Sequence, residues 1–324
     1  MPRQPALINM EFIRGQHNIA SRHFGCVASV GNYDGIHPGH QAVIRSLVAK
    51  GRELELPVTI ISFEPHPMEF FVPDAAPARL MSIRNKIEAL KLLQVDRFCC
   101  LRFDHRLANT EAEEFVSNLL VGKLGVRYIK VGDDFRFGRN RRGNFDMLCT
   151  LGKRFGMQCE KTQSVRVGDV RVSSARIRES LAAGNLTYAK RLLADDYSLS
   201  GKVIRGDGNA ARWGFATANI QTGIKKHALS GIFAAHVEHP NGERTPAVAS
   251  LGVRPTIGGS KQILETHLLD YSGDLYGQRL RVVFLKKLRD EVKFSSIETM
   301  CTQISQDILR TAEYFRDQSS LRAS

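Results

Sequence analysis

The segment from residue 31 to residue 40 has residue types and a spacing that suit chemistry on a phosphate. It reads Gly-Asn-Tyr-Asp-Gly-Ile-His-Pro-Gly-His, and its glycines allow tight turns and close approach of a ligand to the backbone. His37 and His40 are three residues apart, so a single helical turn would present both on one face. Two imidazoles there can donate hydrogen bonds to the charge that develops as pyrophosphate leaves. The segment therefore predicts a site for nucleotide phosphates.

The elements on either side of this segment are those that such a site needs. Apolar residues at 24–30 predict a buried strand, and the amphipathic stretch at 41–49 predicts a helix whose positive dipole end points at the turn. The alternation continues with predicted strands at 58–63, 98–103 and 128–131 and predicted helices at 83–93 and 111–124. This order predicts a Rossmann-like α/β domain, with a parallel sheet between helices and ligands at the carboxyl ends of the strands.

The sequence changes character after about Leu193. Short β-type runs separated by Gly, Pro and Asn occupy residues 200–204, 232–237, 247–251, 263–269 and 280–284, which predicts an antiparallel barrel or sandwich. The chain closes with a predicted helix that has a capping box at Ser295 and Glu298. Its predicted apolar face is formed by Ile297, Met300, Ile304, Ile308 and Phe315. We predict two domains, residues 1–185 and 186–324.

Composition limits the class of protein. A chain of 324 residues with 43% hydrophobic and 24% charged residues is expected to be soluble and to form two domains. The sequence predicts neither a membrane span nor a secretory signal. Six scattered cysteines without a C-x-x-C pair are typical of thiols in a reducing cytosol, so we expect a cytoplasmic protein. The net charge of +13 indicates an anionic partner, either nucleic acid, a membrane surface or a phosphorylated small molecule.

Three further motifs follow in the first half of the chain: FEPHP at 63–67, VGDDFRFG at 131–138 and RVSSARIR at 171–178. Together with residues 31–40 they resemble, in order, the motifs of bacterial bifunctional riboflavin kinase/FAD synthetases, whose His-x-Gly-His signature is that of nucleotidylyltransferases. Tyr33 replaces the usual Phe, and Ala175 replaces the usual Thr, which removes one phosphate contact. The resemblance implies that His37 and His40 are catalytic. It assigns nucleotide binding to Gly31, Asn32, Tyr33, Asp34, Gly39, Arg171, Ser173, Ser174 and Arg178, and flavin binding to His66, Asp134 and Phe135.

The second half resembles the riboflavin kinase of the same family. The segments at 201–207 and 214–219 resemble its phosphate loop, except that Ala210, Ala211 and Ala216 stand where the family has Gly, Arg and Pro. These changes predict a kinase that is slower or binds its nucleotide more weakly. By the resemblance, Glu265 is the base that takes the proton of the riboflavin 5′-hydroxyl. Nucleotide binding is assigned to Gly206, Gly214, Thr217 and Asn219, metal binding to Thr217 and Asn219, and flavin binding to Arg289 and Glu291.

The resemblance implies an antiparallel β-barrel with a terminal helix for the second domain, and a bifunctional enzyme. The second domain would phosphorylate riboflavin with MgATP, and the first would join FMN to AMP, releasing pyrophosphate and FAD. The expected partners are riboflavin, FMN, ATP and FAD, with Mg²⁺ as cofactor and neither nucleic acid nor membrane. Three alternatives stay open: an FMN adenylyltransferase with a vestigial kinase, a nucleotidylyltransferase for another phosphate acceptor, and a nucleic-acid-binding module, for which no RNP, helix-turn-helix or zinc-finger pattern is found. The oligomeric state is not predicted.

Overall fold

The structure, a computed structural model, describes residues 9–163, 165–206, 213–256 and 259–323 and contains two compact units. Unit 1 comprises Met1–Pro77 and Ile83–Val172, and unit 2 comprises Ala78–Ser82 and Ser173–Ser324. The predicted domain boundary between residues 185 and 186 stays a prediction.

Unit 1 is built on a six-stranded sheet in the order β1-β4-β3-β2-β5-β6, and all its pairs are parallel. The strands are β1 (Glu11–Arg14), β2 (Cys26–Val30), β3 (Val58–Glu64), β4 (Arg97–Arg102), β5 (Val126–Val131) and β6 (Gln158–Lys161). All five residues of β2 are buried, as expected for a central strand covered on both faces. The predicted parallel α/β domain is confirmed. The edge strands β1 and β6 were not predicted, because they are short and largely polar.

The sheet of unit 1 alternates with helices along the chain. These are α1 (Pro38–Glu53), α2 (Pro67–Phe71), α3 (Ile83–Leu92), α4 (His105–Ala108), α5 (Ala112–Glu114) and α6 (Phe145–Arg154). The helix predicted at 111–124 is α-helical only over α5 and continues as a π-helix through Phe115–Lys123. Val116 and Leu120 of that π-helix are fully buried in the core with Ile129 of β5. A short hairpin, β7 (Arg166–Val167) and β8 (Val170–Arg171), completes the unit.

Unit 2 contains a closed antiparallel barrel in the order β10-β13-β12-β11-β14-β9. Its strands are β9 (Ser198–Ile204), β10 (Ala218–Gln221), β11 (Gly231–Glu238), β12 (Arg244–Thr256), β13 (Gly259–Leu268) and β14 (Arg279–Arg289). Fully buried Phe233 and Phe284 meet edge to face, with ring centroids 5.3 Å apart. The predicted barrel is confirmed. Strand β10 was not predicted, because its first residues belong to the segment that resembles the phosphate loop.

Among the described residues of unit 2, three helices accompany the barrel: α7 (Ser174–Ala182), α8 (Leu186–Leu193) and α9 (Ile297–Ala323). The segment Ala78–Ser82 belongs to the same unit, where the Arg79 N–H donates to the Lys226 carbonyl at 2.9 Å. Within the described ranges, no helix is long and apolar enough to cross a membrane.

The start and the buried face of α9 differ from their predictions. Ser296, rather than Ser295, caps the helix: its Oγ accepts from the Thr299 N–H at 3.2 Å, while the Ser296 N–H donates to Thr299 Oγ1 at 3.3 Å. The buried side chains on the described face of α9 are polar Asp307 and Thr311. The predicted apolar residues are half-buried or, at Ile297, exposed. Asp307, which lies within this stripe, forms an ion pair with Arg289.

Two candidate active sites

The first candidate site lies where β2 ends and α1 begins. His37 caps α1 and is only 6% exposed, and its Nδ1 accepts a hydrogen bond from the His40 N–H at 3.4 Å. The two imidazole rings stack with centroids 3.7 Å apart. Because Nδ1 of His37 accepts, the neutral ring carries its proton on Nε2, which is then the nitrogen that can donate. The structure thus brings the two predicted histidines together at the positive end of a helix.

Hydrogen bonds hold the segment before these histidines against the sheet. The Tyr33 hydroxyl donates to Ser29 Oγ at 2.5 Å, and Ser29 Oγ donates to the Lys130 carbonyl at 2.5 Å. Lys86 Nζ donates to the Asn32 carbonyl at 2.6 Å. Burial raises the pKa of Tyr33 to about 12, so its hydroxyl stays protonated and keeps donating. Tyr33 has a φ of 49°, a conformation that a non-glycine residue keeps only when its surroundings impose it.

The remaining predicted residues of the segment lie close to these rings. A Cβ added at Gly31 would lie 3.1 Å from the Tyr33 ring, and one added at Gly39 would lie 3.1 Å from the His37 ring. Asp34 is buried. The two glycines therefore leave space in which the aromatic and imidazole rings pack.

The predicted flavin residues of unit 1 lie at the same edge of the sheet. Strands β3 and β5 flank β2, and His66 follows β3 while Asp134 and Phe135 follow β5. Parallel strands end at one edge, so all three segments meet the carboxyl edge beside His37. His66 caps α2, Asp134 is exposed and Phe135 is half-buried. Arg171 pairs with Asp133 at 2.6 Å.

An aromatic group not predicted from the sequence lies at the carboxyl ends of β3 and β4 and in α2. Phe103 contacts Phe63, Phe70 and Phe71 edge to face, with centroid distances of 5.8, 5.5 and 5.6 Å. Phe71 is 58% exposed. Exposed Phe71 gives the group an apolar surface, and aromatic side chains of this kind bind planar ring systems.

The predicted ATP-phosphate residues Ser173, Ser174 and Arg178 belong to unit 2. Ser173 caps α7, accepting from the Arg176 N–H at 3.3 Å, and Ser174 is the first residue of that helix. Arg178 Nε donates to the Ala78 carbonyl at 2.5 Å. Their position relative to bound ATP stays a prediction.

The second candidate site lies on the outer face of the barrel. Asn219 of β10 and Ser250 of β12 are both direct cross-strand partners of Glu265 in β13. Directly opposite residues stand on one face with Cβ atoms about 5 Å apart, so an amide and a hydroxyl flank the carboxylate. The neighbours of Glu265 along the strand, Leu264 and Thr266, are buried inside the barrel, which places Glu265 outside.

The loop that precedes β10 contributes more of the predicted kinase residues. A Cβ at Gly206 would lie 2.2 Å from Asn219 Nδ2, so only glycine admits the Asn219 amide here. Gly214 has a φ of 89°. Thr217 lines a pocket of about 410 Å³ together with Val203, Ala216, Ala218, His267, Leu268, Tyr271, Gly273, Asp274, Leu275 and Tyr276. Ala210 and Ala211 lie outside the described residues.

The two predicted flavin residues of the kinase have different surroundings. A Cβ at Gly252 would lie 1.6 Å from Glu291 Oε1, so the Glu291 carboxylate rests directly on the Gly252 backbone. Gly252 follows Ser250 on the same outer face, which brings Glu291 to the face that carries Glu265. Arg289 instead forms a bidentate ion pair with Asp307, with nitrogen–oxygen distances of 2.7 to 3.1 Å.

Sequence reasoning missed Lys86, Ser250 and Asp307. A lone lysine in an amphipathic helix and a serine in a strand have no spacing signal that marks a site. Asp307 does have a spacing signal, because it stands three residues after Ile304 and four before Thr311, within the stripe predicted to be apolar.

In the part of the chain that the structure describes, no group of three or more His, Cys, Asp or Glu side chains could hold a metal ion. Hard oxygen donors are present at Thr217 and Asn219, and Mg²⁺ commonly binds through few protein oxygens and substrate phosphates. These residues fit the predicted ion.

Comparisons with known proteins cover both units. A family model described as FAD synthetase matches residues 19–176, and one described as riboflavin kinase matches residues 193–315. The bifunctional riboflavin kinase/FMN adenylyltransferase of Escherichia coli K12 is 42% identical over 307 residues, 94% of this chain and 98% of that protein. That of Pseudomonas fluorescens is 44% identical over 300 residues, 92% of this chain and 96% of that protein.

A solved structure described as a macrolide-efflux protein from Streptococcus pneumoniae has a TM-score of 0.74 and covers 94% of this chain and 99% of its own. At 24% identity it supports the fold alone. The curated relatives and the two family models confirm the resemblance: the chain belongs to the bifunctional riboflavin kinase/FMN adenylyltransferase family.

Proposed function

We propose that the chain converts riboflavin to FAD in two ATP-dependent steps, with FMN formed on the barrel and FAD formed on the parallel-sheet unit. One observation carries the proposal: each segment matched by a family model contains a group of side chains suited to the activity that the model describes. The segment matched as FAD synthetase contains the stacked His37 and His40, and the segment matched as riboflavin kinase contains Glu265 between Asn219 and Ser250.

In the kinase step, the riboflavin 5′-hydroxyl oxygen bonds to the γ-phosphorus of ATP, and the bond from that phosphorus to ADP breaks. Glu265 accepts the hydroxyl proton, so FMN and ADP leave as products. Asn219 and Ser250 orient the carboxylate from either side. Glu291 and Arg289 would contact the flavin, and Arg289 also holds the end of β14 through its ion pair with Asp307.

Thr217 and Asn219 would hold Mg²⁺ and the ATP phosphates, with Gly206 and Gly214 allowing the backbone to approach them. When bound, the ion supplies positive charge that offsets the charge of the transferring phosphoryl group. Asn219 is suited to this task because its amide is packed against Gly206 and is thereby oriented.

In the adenylyl step, an FMN phosphate oxygen bonds to the α-phosphorus of ATP, and the bond to pyrophosphate breaks. His37 and His40 donate hydrogen bonds to the developing charge, and His37 does so from Nε2. The remaining residues proposed to bind ATP in this step are Gly31, Asn32, Tyr33, Asp34, Gly39, Arg171, Ser173, Ser174 and Arg178. FMN would bind through His66, Asp134 and Phe135, with its ring system on the aromatic group around Phe103.

The proposed partners are riboflavin, FMN, ATP and FAD, and neither nucleic acid nor a membrane. The net charge of +13 suits a protein that gathers FMN, ATP and FAD, which are anions. We propose a cytoplasmic location, which fits six cysteines of which none forms a disulfide.

Product analysis by chromatography tests the proposal, with riboflavin and MgATP in one reaction and FMN and MgATP in another. FAD in both reactions supports the two-step enzyme. FAD from FMN alone supports the alternative in which the kinase is vestigial. Folded protein that produces FAD in neither reaction would overturn the proposal and favour a nucleotidylyltransferase for another acceptor.

A further inference from the structure

His267 ties the end of the kinase phosphate loop to the strand that carries the proposed base. Its Nδ1 lies 2.8 Å from the carbonyl oxygen of Ala216, and its ring meets Phe215 edge to face at 6.3 Å. A carbonyl oxygen only accepts, so Nδ1 carries a proton and donates. One imidazole thus contacts both residues that immediately precede Thr217.

The position of His267 on β13 gives this contact its relevance to catalysis. His267 follows Glu265 by two residues, so both side chains stand on the outer face of the barrel. Asn219 is the direct partner of Glu265. The hydrogen bond to Ala216 therefore fixes Thr217 relative to the same strand that holds Glu265.

The residue at 216 leaves the segment without a restraint of its own. The family has Pro at this position, and a pyrrolidine ring fixes φ near −65° without help from a neighbour. Ala216 lacks that restraint, and its segment, residues 215–217, lies outside helix and strand. A side chain that holds the Ala216 carbonyl can restrain the backbone conformation at this residue, as the ring of Pro would do.

We propose that His267 is a positioning residue for the kinase, which fixes residues 215–217 and so places Thr217 for MgATP. The proposal rests on the kinase activity proposed above. His267 acts through the Ala216 carbonyl and takes no part in proton transfer. Since one hydrogen bond carries the effect, we expect its loss to raise KM for MgATP roughly fivefold.

Four variants of the full chain test this role. His267→Ala removes the donor, and His267→Asn keeps an N–H near the position of Nδ1. Ala216→Pro fixes the φ angle of residue 216 by its ring, and this change is combined with His267→Ala. The matched control is His236→Ala, which removes another half-buried histidine of the barrel, one that contacts Phe315 at 4.7 Å.

The first readout is steady-state kinetics. We expect His267→Ala to raise KM for MgATP but not KM for riboflavin. In His267→Asn, and in the double variant that adds Ala216→Pro to His267→Ala, KM for MgATP should return most of the way to the wild-type value. FAD formation from FMN should be unchanged in all variants. The control variant should keep the wild-type KM for MgATP.

Hydrogen exchange gives a second readout that does not need an active kinase. Peptides covering residues 213–221 should exchange faster in His267→Ala, and at the wild-type rate in His267→Asn. Unchanged exchange would overturn the proposal whatever the kinetics. Faster exchange with an unchanged KM for MgATP in an active kinase would overturn its functional part. A wild-type chain that forms no FMN would refute the kinase proposal, while the exchange data would still decide whether His267 holds the segment.

Discussion

Asn219 and Glu265 are direct cross-strand partners on the outer face of the barrel, and the Asn219 amide packs against the backbone of Gly206. This relationship joins a residue proposed to bind MgATP to the proposed base through adjacent antiparallel strands. The position of Asn219 relative to the proton acceptor therefore depends on sheet register rather than on loop conformation. Strand pairs hold such distances more firmly than loops do.

Replacing the proposed base should stop only the first reaction. Glu265→Gln keeps the shape and the cross-strand contacts but removes the proton acceptor, so FMN formation should fall by about 10²- to 10⁴-fold. The rate of FAD formation from added FMN serves as the internal control and should not change. A Glu265→Gln chain that forms FMN at a rate near that of the wild type would show that another group takes the proton.

A methyl group at residue 252 should act through Glu291. The added Cβ of Gly252→Ala would lie 1.6 Å from Glu291 Oε1, so the carboxylate must move. We expect KM for riboflavin to rise, and we expect Glu291→Ala to have a similar effect. The double variant decides the mechanism: an effect no larger than that of either single change indicates a shared cause, whereas additive effects would exclude it.

The ion pair between Arg289 and Asp307 should stabilise the attachment of α9. Both side chains are largely withdrawn from solvent, so Asp307→Ala leaves a buried guanidinium without its partner and should lower the free energy of unfolding by about 3–5 kcal/mol. Replacing both, as Arg289→Met with Asp307→Leu, should recover most of that loss. Fluorescence of Trp213, the single tryptophan of the chain, reports unfolding of unit 2 in denaturant.

The hydroxyl of Tyr33 should contribute to stability more than to chemistry. Tyr33→Phe gives the residue usual in the family and removes the hydrogen bond to Ser29, which should lower the free energy of unfolding by about 1 kcal/mol. FAD formation from FMN should remain near the wild-type rate, because the ring beside His40 is retained. A large fall in that rate with unchanged stability would instead assign the hydroxyl a part in the reaction.

The sequence predicted both folds and the segments that hold the sites, because these depend on local periodicity and on motif order. It did not predict β1 and β6, whose strand state depends on pairing with buried neighbours rather than on their own composition. Nor did it reveal that Asn219 and Ser250 flank Glu265, since this follows from register between strands distant in sequence. The environments of Arg289 and Asp307 were missed for the same reason: the contact between a strand end and a helix has no local pattern.

Buried His227 should make unit 2 sensitive to acid. Its Nε2 contacts Thr222 Oγ1 at 3.2 Å, while Nδ1 has no hydrogen-bond partner among the described residues. Burial lowers the pKa of His227 to about 4 from an ordinary value of about 6.5. The unfolded chain therefore binds a proton at this residue below pH 6.5, which the folded chain does not bind until about pH 4. Stability must then fall as pH falls through that window.

The His227→Gln variant isolates this contribution. Its free energy of unfolding, followed by Trp213 fluorescence, should differ from that of the wild type by a constant amount above pH 7. Between pH 6.5 and pH 4 the difference should shift in favour of the variant by up to about 3 kcal/mol, since each pKa unit corresponds to about 1.4 kcal/mol. The comparison with the wild type cancels the titration of carboxylates common to both chains. A difference that stays constant down to pH 4 would mean that His227 is protonated as readily in the folded chain as in the unfolded one.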